Sequence, residues 1–142
     1  MEIRKAGPKD ENHVIALINK FPSQEIEIDM GVALQAYRQI MSCPELGSVF
    51  VAEEQDDIFG VITLSFPFAM RCGGEYSCIE EFIVDERSRG KGVGGKLLKA
   101  AMFDAASRGC HEIQVNNPSD VGYPVYLRYG WKDLGRHLKM RL

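Results

Sequence analysis

The 142 residues lack what several protein classes require. No apolar stretch approaches the roughly 20 residues of a membrane span, and the opening M-E-I-R-K has no apolar core such as a signal peptide carries. Both absences predict a cytoplasmic location by default and no membrane partner. Positive charge is not in excess either. With 17 Lys and Arg against 20 Asp and Glu the net charge is -3, which argues against general nucleic-acid binding. The 4 cysteines (43, 72, 78 and 110) and 3 histidines (13, 111 and 137) have spacings that fit no zinc pattern, so no metal is expected. Without a signal peptide, reduced thiols are expected rather than disulfides. Cys78, inside an apolar run, reads as a small core residue. Cys110 beside His111 invites a nucleophile reading, but neighbours on a strand point to opposite faces, so that reading is set aside. There is no linker, repeat or low-complexity segment, and the length suits one domain over residues 1–142.

What is present is a regular alternation of strand and helix signals. Residues 1–6 alternate as a strand. Pro8 suits a helix start, and Val14, Ile15, Leu17, Ile18 and Phe21 form an apolar face that Pro22 ends. The spacing predicts a second helix over about 30–42, a hairpin of strands over 47–53 and 58–68, and a strand over 75–84 after a Gly73-Gly74 turn. Pro67 should bend or end the second hairpin strand. Val93, Leu97, Ala101 and Ala105 recur at four-residue steps along a third helix, which Gly109 should terminate. A strand over 111–116, a short helical segment towards Tyr129, and two last strands over 131–134 and 136–142 complete the pattern.

Between the strand ending at Val84 and the helix opening at Val93 lies R-S-R-G-K-G-V-G-G-K, with Gly90, Gly92, Gly94 and Gly95. Glycine permits turns and close approach of the backbone to a ligand. Unpaired N–H groups at the helix start suit a phosphate, with Arg87, Arg89, Lys91 and Lys96 adding positive charge within reach. Three motifs are nearly met. G-K-G-V-G-G fits the dinucleotide fingerprint by letter, but Asp85 to Arg89 separate it from the strand and too little chain follows for a second half. Gly90 to Leu97 fits a nucleotide P-loop except that leucine stands where Ser or Thr must hold magnesium. The third is [Q/R]-x-x-G-x-[G/A], met by Arg89, Gly92 and Gly94.

With this third motif the chain resembles the GNAT superfamily of acyl-CoA-dependent N-acetyltransferases, over nearly its whole length. A second shared feature is Y-L-R-Y-G-W at Tyr126 to Trp131. The resemblance implies an α/β (or α+β) fold: a mixed sheet of six to seven strands with helices on both faces, in the order β-α-α-β-β-β-α-β-α-β-β. It implies acetyl-CoA as cosubstrate and transfer of an acetyl group to a primary amine by direct attack in a ternary complex. The other readings are a CoA-binding sensor that has lost catalysis and a nucleotide-binding domain misread through its glycines. A homodimer is compatible with the resemblance.

The family's geometry implies roles for individual residues. Phe82 N–H should point at the thioester carbonyl, and the backbones of Ile83 and Val84 should meet the pantetheine amides. Arg89, Gly90, Lys91, Gly92, Val93, Gly94 and Gly95 should ring the pyrophosphate. Asn117, with Asn116 as second choice, resembles an Asn that contacts CoA. Tyr126 occupies the position from which relatives protonate the departing thiolate, with Tyr123 and Tyr129 nearby. Attack needs a neutral amine, and Glu80 or Glu81 could take its proton. Strand alternation should turn one of the two to the site and the other away, and Glu81 fits better. Glu25, Glu27 and Asp29 could attract a cationic acceptor, although a solvated turn explains them equally. Gly122 and Pro124 depart from the family's pattern and should delay the last helix.

Overall fold

The computed structural model describes residues 1–20 and 29–142. Phe21, Pro22, Glu25 and Glu27 lie outside the described residues. The elements are β1 (Glu2–Lys5), α1 (Glu11–Asn19), α2 (Met30–Ser42), β2 (Gly47–Glu54), β3 (Asp57–Ser65), β4 (Phe68–Ala69), β5 (Gly74–Glu75), β6 (Ser77–Val84), α3 (Val93–Ser107), β7 (Ile113–Val115) and α4 (Tyr123–Arg128). Five strands form one sheet in the order β1-β2-β3-β6-β7. Every pairing in it is antiparallel except β6 with β7, so the sheet is mixed.

Two cores lie on the two faces. On one, Phe50, Ala52, Ile62 and Leu64 of β2 and β3 pack with Leu97, Leu98 and Ala101 of α3 and Tyr126 of α4. On the other, Val49, Val51 and Val61 meet Val14, Ile15 and Leu17 of α1 and Tyr37 of α2. Alternate strand residues thus supply opposite cores, as the two-residue strand period requires. The four-residue apolar stripe of α3 is buried throughout. Its end is fixed as the sequence predicts: Gly109 has a φ of 95, its N–H donates to Ala106 C=O, and Cys110 N–H donates to Ala105 C=O.

Three expectations need correction. The second hairpin strand, expected over 58–68, stops at Ser65, ended just before Pro67 as that proline predicts, and β4 and β5 form a separate two-stranded ribbon. The strand over 111–116 shortens to Ile113–Val115, so Cys110 and His111 sit in the turn after α3 rather than on a strand. The two strands expected over 131–142 are absent. That segment carries no regular structure; Leu134, Leu138, Met140 and Leu142 are exposed, while Trp131 packs against the α3 core. Alternation makes a strand only where a ladder partner exists. The fold class itself agrees, a mixed sheet with helices on both faces, but among the described residues the sheet has five strands rather than the expected six to seven.

The junction of β1 and α1 is held by a polar cluster. Buried Asp10 accepts from Arg4 Nη1 at 2.8 Å, Arg4 Nη2 at 2.9 Å and the Gly7 amide at 2.7 Å, while Arg4 Nε reaches Glu53 at 2.8 Å. The Arg4 guanidinium holds the Asp10 carboxyl below its usual range, opposed by burial. Asp10→Ala should cost about 2 kcal/mol, because Arg4 loses one carboxylate but keeps Glu53. A depressed pKa adds stability above the unfolded value of about 3.9 and loses it as pH falls further. The variant should therefore melt lower than wild type near neutrality, with the gap closing in acid. A melting-temperature series against pH checks this.

Candidate active site

The site forms where β6 and β7 part. They pair at Ser77 with Ile113, Cys78 with Gln114 and Ile79 with Val115, and there pairing stops. β6 runs on to Val84, while the chain beyond β7 turns away at Asn117, whose φ is 49. The outer edge of β6 from Glu80 onward therefore has no strand beside it among the described residues. Asp85 N–H donates to Phe59 C=O at 2.7 Å. Since hydrogen-bonded pairs alternate along an antiparallel ladder, Ile83 turns its backbone groups to β3, and Phe82 and Val84 turn theirs to the open edge. Arg89 Nε donating to Val84 C=O at 3.1 Å agrees. This corrects the expectation for Ile83, whose side chain packs in the α1 core.

A register shift lies in the same strand. Thr63 faces Glu81 and Leu64 faces Ile79, so Glu80 is an extra residue without a partner. The consequence contradicts simple alternation. Thr63 Oγ1 donates to Glu81 Oε2, and Ser65 Oγ donates to Glu80 Oε2 at 2.6 Å. Thr63 and Ser65 are two apart on β3 and share a face, so both carboxylates lie on that one face. Burial raises the Glu81 pKa above the ordinary carboxylate range; the Thr63 bond opposes this and the Glu80 charge adds to it. Glu80 is exposed and, with Phe82, Asn117 and Tyr126, lines a cavity of about 40 Å³ at the fork of the two strands.

Tyr126 is buried beneath this fork. Its ring meets Phe82 edge-on at 5.6 Å and Trp131 at 4.9 Å. Its hydroxyl makes no hydrogen bond among the described residues. Burial, and secondarily the neighbouring Cys78, pushes its pKa well up, so the phenol stays protonated near neutrality. The other two tyrosines are engaged elsewhere: Tyr123 Oη donates to Asp133 at 2.9 Å, and Tyr129 lies against Gly95 beneath Lys99. Cys78 is also committed, since burial lifts its thiol to about 12 and Asn116 Nδ2 approaches its sulfur at 3.8 Å.

From the fork a cleft of about 920 Å³ runs past Phe82 and Val84 to Arg89 and Gly94, with Asn117 on its far wall. Gly90 and Gly92 both have a φ of 77, and Gly92 immediately precedes α3 with no side chain capping the helix. The first intrahelical donor is Lys96, to Gly92 C=O, so the amides of Val93, Gly94 and Gly95 stay open for an acceptor. Arg87, by contrast, is tied to Asp85 and Asp57 and lies over Phe59. A Cβ placed on Gly94 would approach the Phe82 ring at 3.4 Å and Val84 Cγ2 at 3.7 Å, two residues that line the cleft. The α4 start at Tyr123 leaves Gly122 outside, and Ser119 Oγ accepts from the Gly122 amide at 3.0 Å. Among the described residues no group of three or more His, Cys, Asp or Glu could hold a metal ion, and no helix is long and apolar enough to cross a membrane.

Thr63, Ser65 and the extra residue at Glu80 were not foreseen from the sequence. The signal for the first two is the T-L-S at the end of the apolar β3 run, two hydroxyls on one face.

These features define an α/β domain whose two parallel strands part over an uncapped glycine-rich helix start. The chain belongs to the acetyltransferase (GNAT) family, whose model matches residues 14–131. Glucosamine 6-phosphate N-acetyltransferase 1 of Oryza sativa subsp. japonica is 30% identical over 65 residues, covering 45% of this chain and only 39% of that protein. An integron cassette protein from a Cole Harbour salt marsh metagenome is 25% identical with a TM-score of 0.85, covering 99% of this chain and 89% of that one. Two further structures share the fold. A protein of Clostridium acetobutylicum described as a predicted acetyltransferase, crystallised with acetyl-CoA, is 24% identical with a TM-score of 0.80, covering 99% of this chain and 95% of that one. Glucosamine-6-phosphate N-acetyltransferase of Arabidopsis thaliana is 22% identical with a TM-score of 0.83, covering 99% and 97%.

Proposed function

We propose that this protein transfers an acetyl group from acetyl-CoA to a primary amine by direct attack in a ternary complex. The observation that carries the reading is the open edge of β6 leading straight to the uncapped start of α3. An elongated ligand with amides at one end and phosphates at the other matches that order of donors and acceptors. Phe82 and Val84 would bond the pantetheine arm as an added strand does. The amides of residues 89–95 would take the pyrophosphate, and Asn117 would close the far wall. Acetyl-CoA supplies an activated acyl group. Phe82 N–H then stabilises charge building on the acyl oxygen, Glu81 takes the proton of the amine, and Tyr126 gives one to the departing sulfur.

The two carboxylates favour a cationic amine as acceptor. Glu80 and Glu81 lie on one face of the sheet, and a sugar phosphate such as the rice relative's name implies would bring its own negative charge near them. Polyamines, amino acids, antibiotic amines, peptide N-termini and lysine side chains fit this class. The test is CoA release over a panel of these amines with glucosamine 6-phosphate included, alongside melting shifts with acetyl-CoA, NAD and ATP. Acetyl-CoA at a hundred times its dissociation constant should add about 2.7 kcal/mol, while NAD and ATP add little. Stabilisation by NAD or ATP alone would end this reading. Acetyl-CoA binding without transfer to any amine would favour a non-catalytic CoA sensor.

The glycine loop gives a direct check. Gly94→Val should weaken acetyl-CoA binding at least about tenfold by placing carbon against Phe82 and Val84 in the cleft. Gly92→Val should act likewise, through a φ of 77 that a branched residue resists. Lys99→Ala, which only uncovers Tyr129, should leave affinity unchanged. Calorimetry on folded variants decides, and wild-type affinity in both glycine variants would remove the loop from the site.

A further inference from the structure

We infer that Thr63 is a positioning residue for Glu81: its hydroxyl accepts from the Glu81 amide and donates to the Glu81 carboxylate, clamping one oxygen and leaving the other for a proton. The clamp is a matter of contacts, while its part in turnover rests on the proposed reading of Glu81 as the base.

Thr63 stands in an apolar row. It is 5% exposed in β3 and shares the face of Val61, two residues before it, and of Val49, its partner on β2. A hydroxyl buried in such a row costs stability unless it is bonded. Here both bonds go to one residue across the ladder. The Glu81 amide donates to Thr63 Oγ1 at 3.0 Å, and Thr63 Oγ1 donates to Glu81 Oε2.

The first bond sets the direction of the second. A hydroxyl has one proton, and an amide N–H cannot accept it. With Oγ1 turned to that amide, the proton is left for the carboxylate. Branching at Cβ restricts χ1, so the hydroxyl has little freedom to turn away. Glu81 Oε1 makes no hydrogen bond among the described residues. It is the oxygen on which an O–H bond can form as the N–H bond of the amine breaks. Ser65 gives the contrast, since its hydroxyl reaches only the carboxylate of exposed Glu80.

The rest of the surroundings favour the neutral acid. Burial raises the Glu81 pKa and the Glu80 charge adds to it, and the Thr63 bond opposes both. From α1, the helix on that face, Asp10 is tied to Arg4, Glu11 to Arg38 and Lys20 to Asp85, and His13 is exposed. From α2, Tyr37 donates to Gly7 C=O. No salt bridge reaches Glu81 among the described residues, so one neutral hydroxyl holds the ionised form.

The test is the titration of the Glu81 carboxyl, read by NMR on isotope-labelled glutamate in the full chain and assigned by its loss in Glu81→Gln. The pH profile of kcat accompanies it. In Thr63→Val, which keeps the branched shape, the titration and the acid limb of kcat should move together to higher pH. Near neutrality kcat should fall about tenfold, with KM for acetyl-CoA within about twofold of wild type. Thr63→Ser keeps the hydroxyl and should return both midpoints to the wild-type position. Thr63→Ala gives the same readout if valine disturbs the fold. A Glu81 titration left in place by the valine and alanine variants overturns the inference, and so does a serine variant that behaves like valine. A titration that moves while the rate profile stays fixed upholds the clamp and removes Glu81 as the base, so the two readings fail separately.

Discussion

Glu81→Gln should lower kcat about a thousandfold near neutral pH while acetyl-CoA affinity stays close to wild type. The amide keeps the shape of the side chain, and its oxygen can still accept from Thr63, so only the capacity to take a proton is lost. As the proposed base, Glu81 works when ionised. The rate should therefore fall with a limb on the acid side, placed above the ordinary carboxylate range because burial raises the Glu81 pKa. The variant should lack that limb, and its rate should climb as pH rises and more amine arrives unprotonated. Glu80→Gln should cost less because that carboxylate is exposed, and it should move the acid limb to lower pH by removing the charge that helps raise Glu81. Stability separates this role from a merely structural one. A carboxyl whose folded pKa is raised destabilises the fold as pH rises through the unfolded value of about 4.3. The Gln variant should thus melt no lower than wild type at pH 7. A large loss of melting temperature, or an unchanged pH–rate profile, would make Glu81 a packing residue.

The parts of this molecule that were legible in the sequence are those set by short-range physics. The α3 stripe, its glycine end and the glycine run before Val93 follow from helix period and termini, and the structure repeats them. Helix α2 falls over 30–42 as its apolar spacing predicts. What could not be read depends on pairing between distant segments. The register shift that leaves Glu80 unpaired arises between β3 and β6, and nothing in S-C-I-E-E-F-I-V announces it. It overturned the expectation that Glu80 and Glu81 face opposite ways. Ladder parity, which turns Ile83 to β3 and frees Phe82 and Val84, likewise needs the register. The C-terminal segment over 136–142 shows the converse. Its alternation predicts a strand, yet the segment carries no regular structure.

Tyr126→Phe should lower kcat about a hundredfold with acetyl-CoA affinity near normal, since the lost proton is needed only as the sulfur departs. The change removes one oxygen and keeps the ring contacts with Phe82 and Trp131. That oxygen makes no hydrogen bond among the described residues, so melting should not fall. A tyrosine kept for structure would behave differently, because deleting a buried, bonded hydroxyl costs on the order of 1 kcal/mol or more. Tyr123→Phe is the control. It severs a surface bond to Asp133 and should leave kcat within a few-fold of wild type. The acid role makes one further demand. An acyl donor whose leaving thiol is more acidic needs less help from a proton, so the Tyr126→Phe defect should shrink with such a donor. If the defect is equal for all donors, or if acetyl-CoA affinity collapses together with kcat, Tyr126 shapes the pocket and another group, or water, protonates the sulfur.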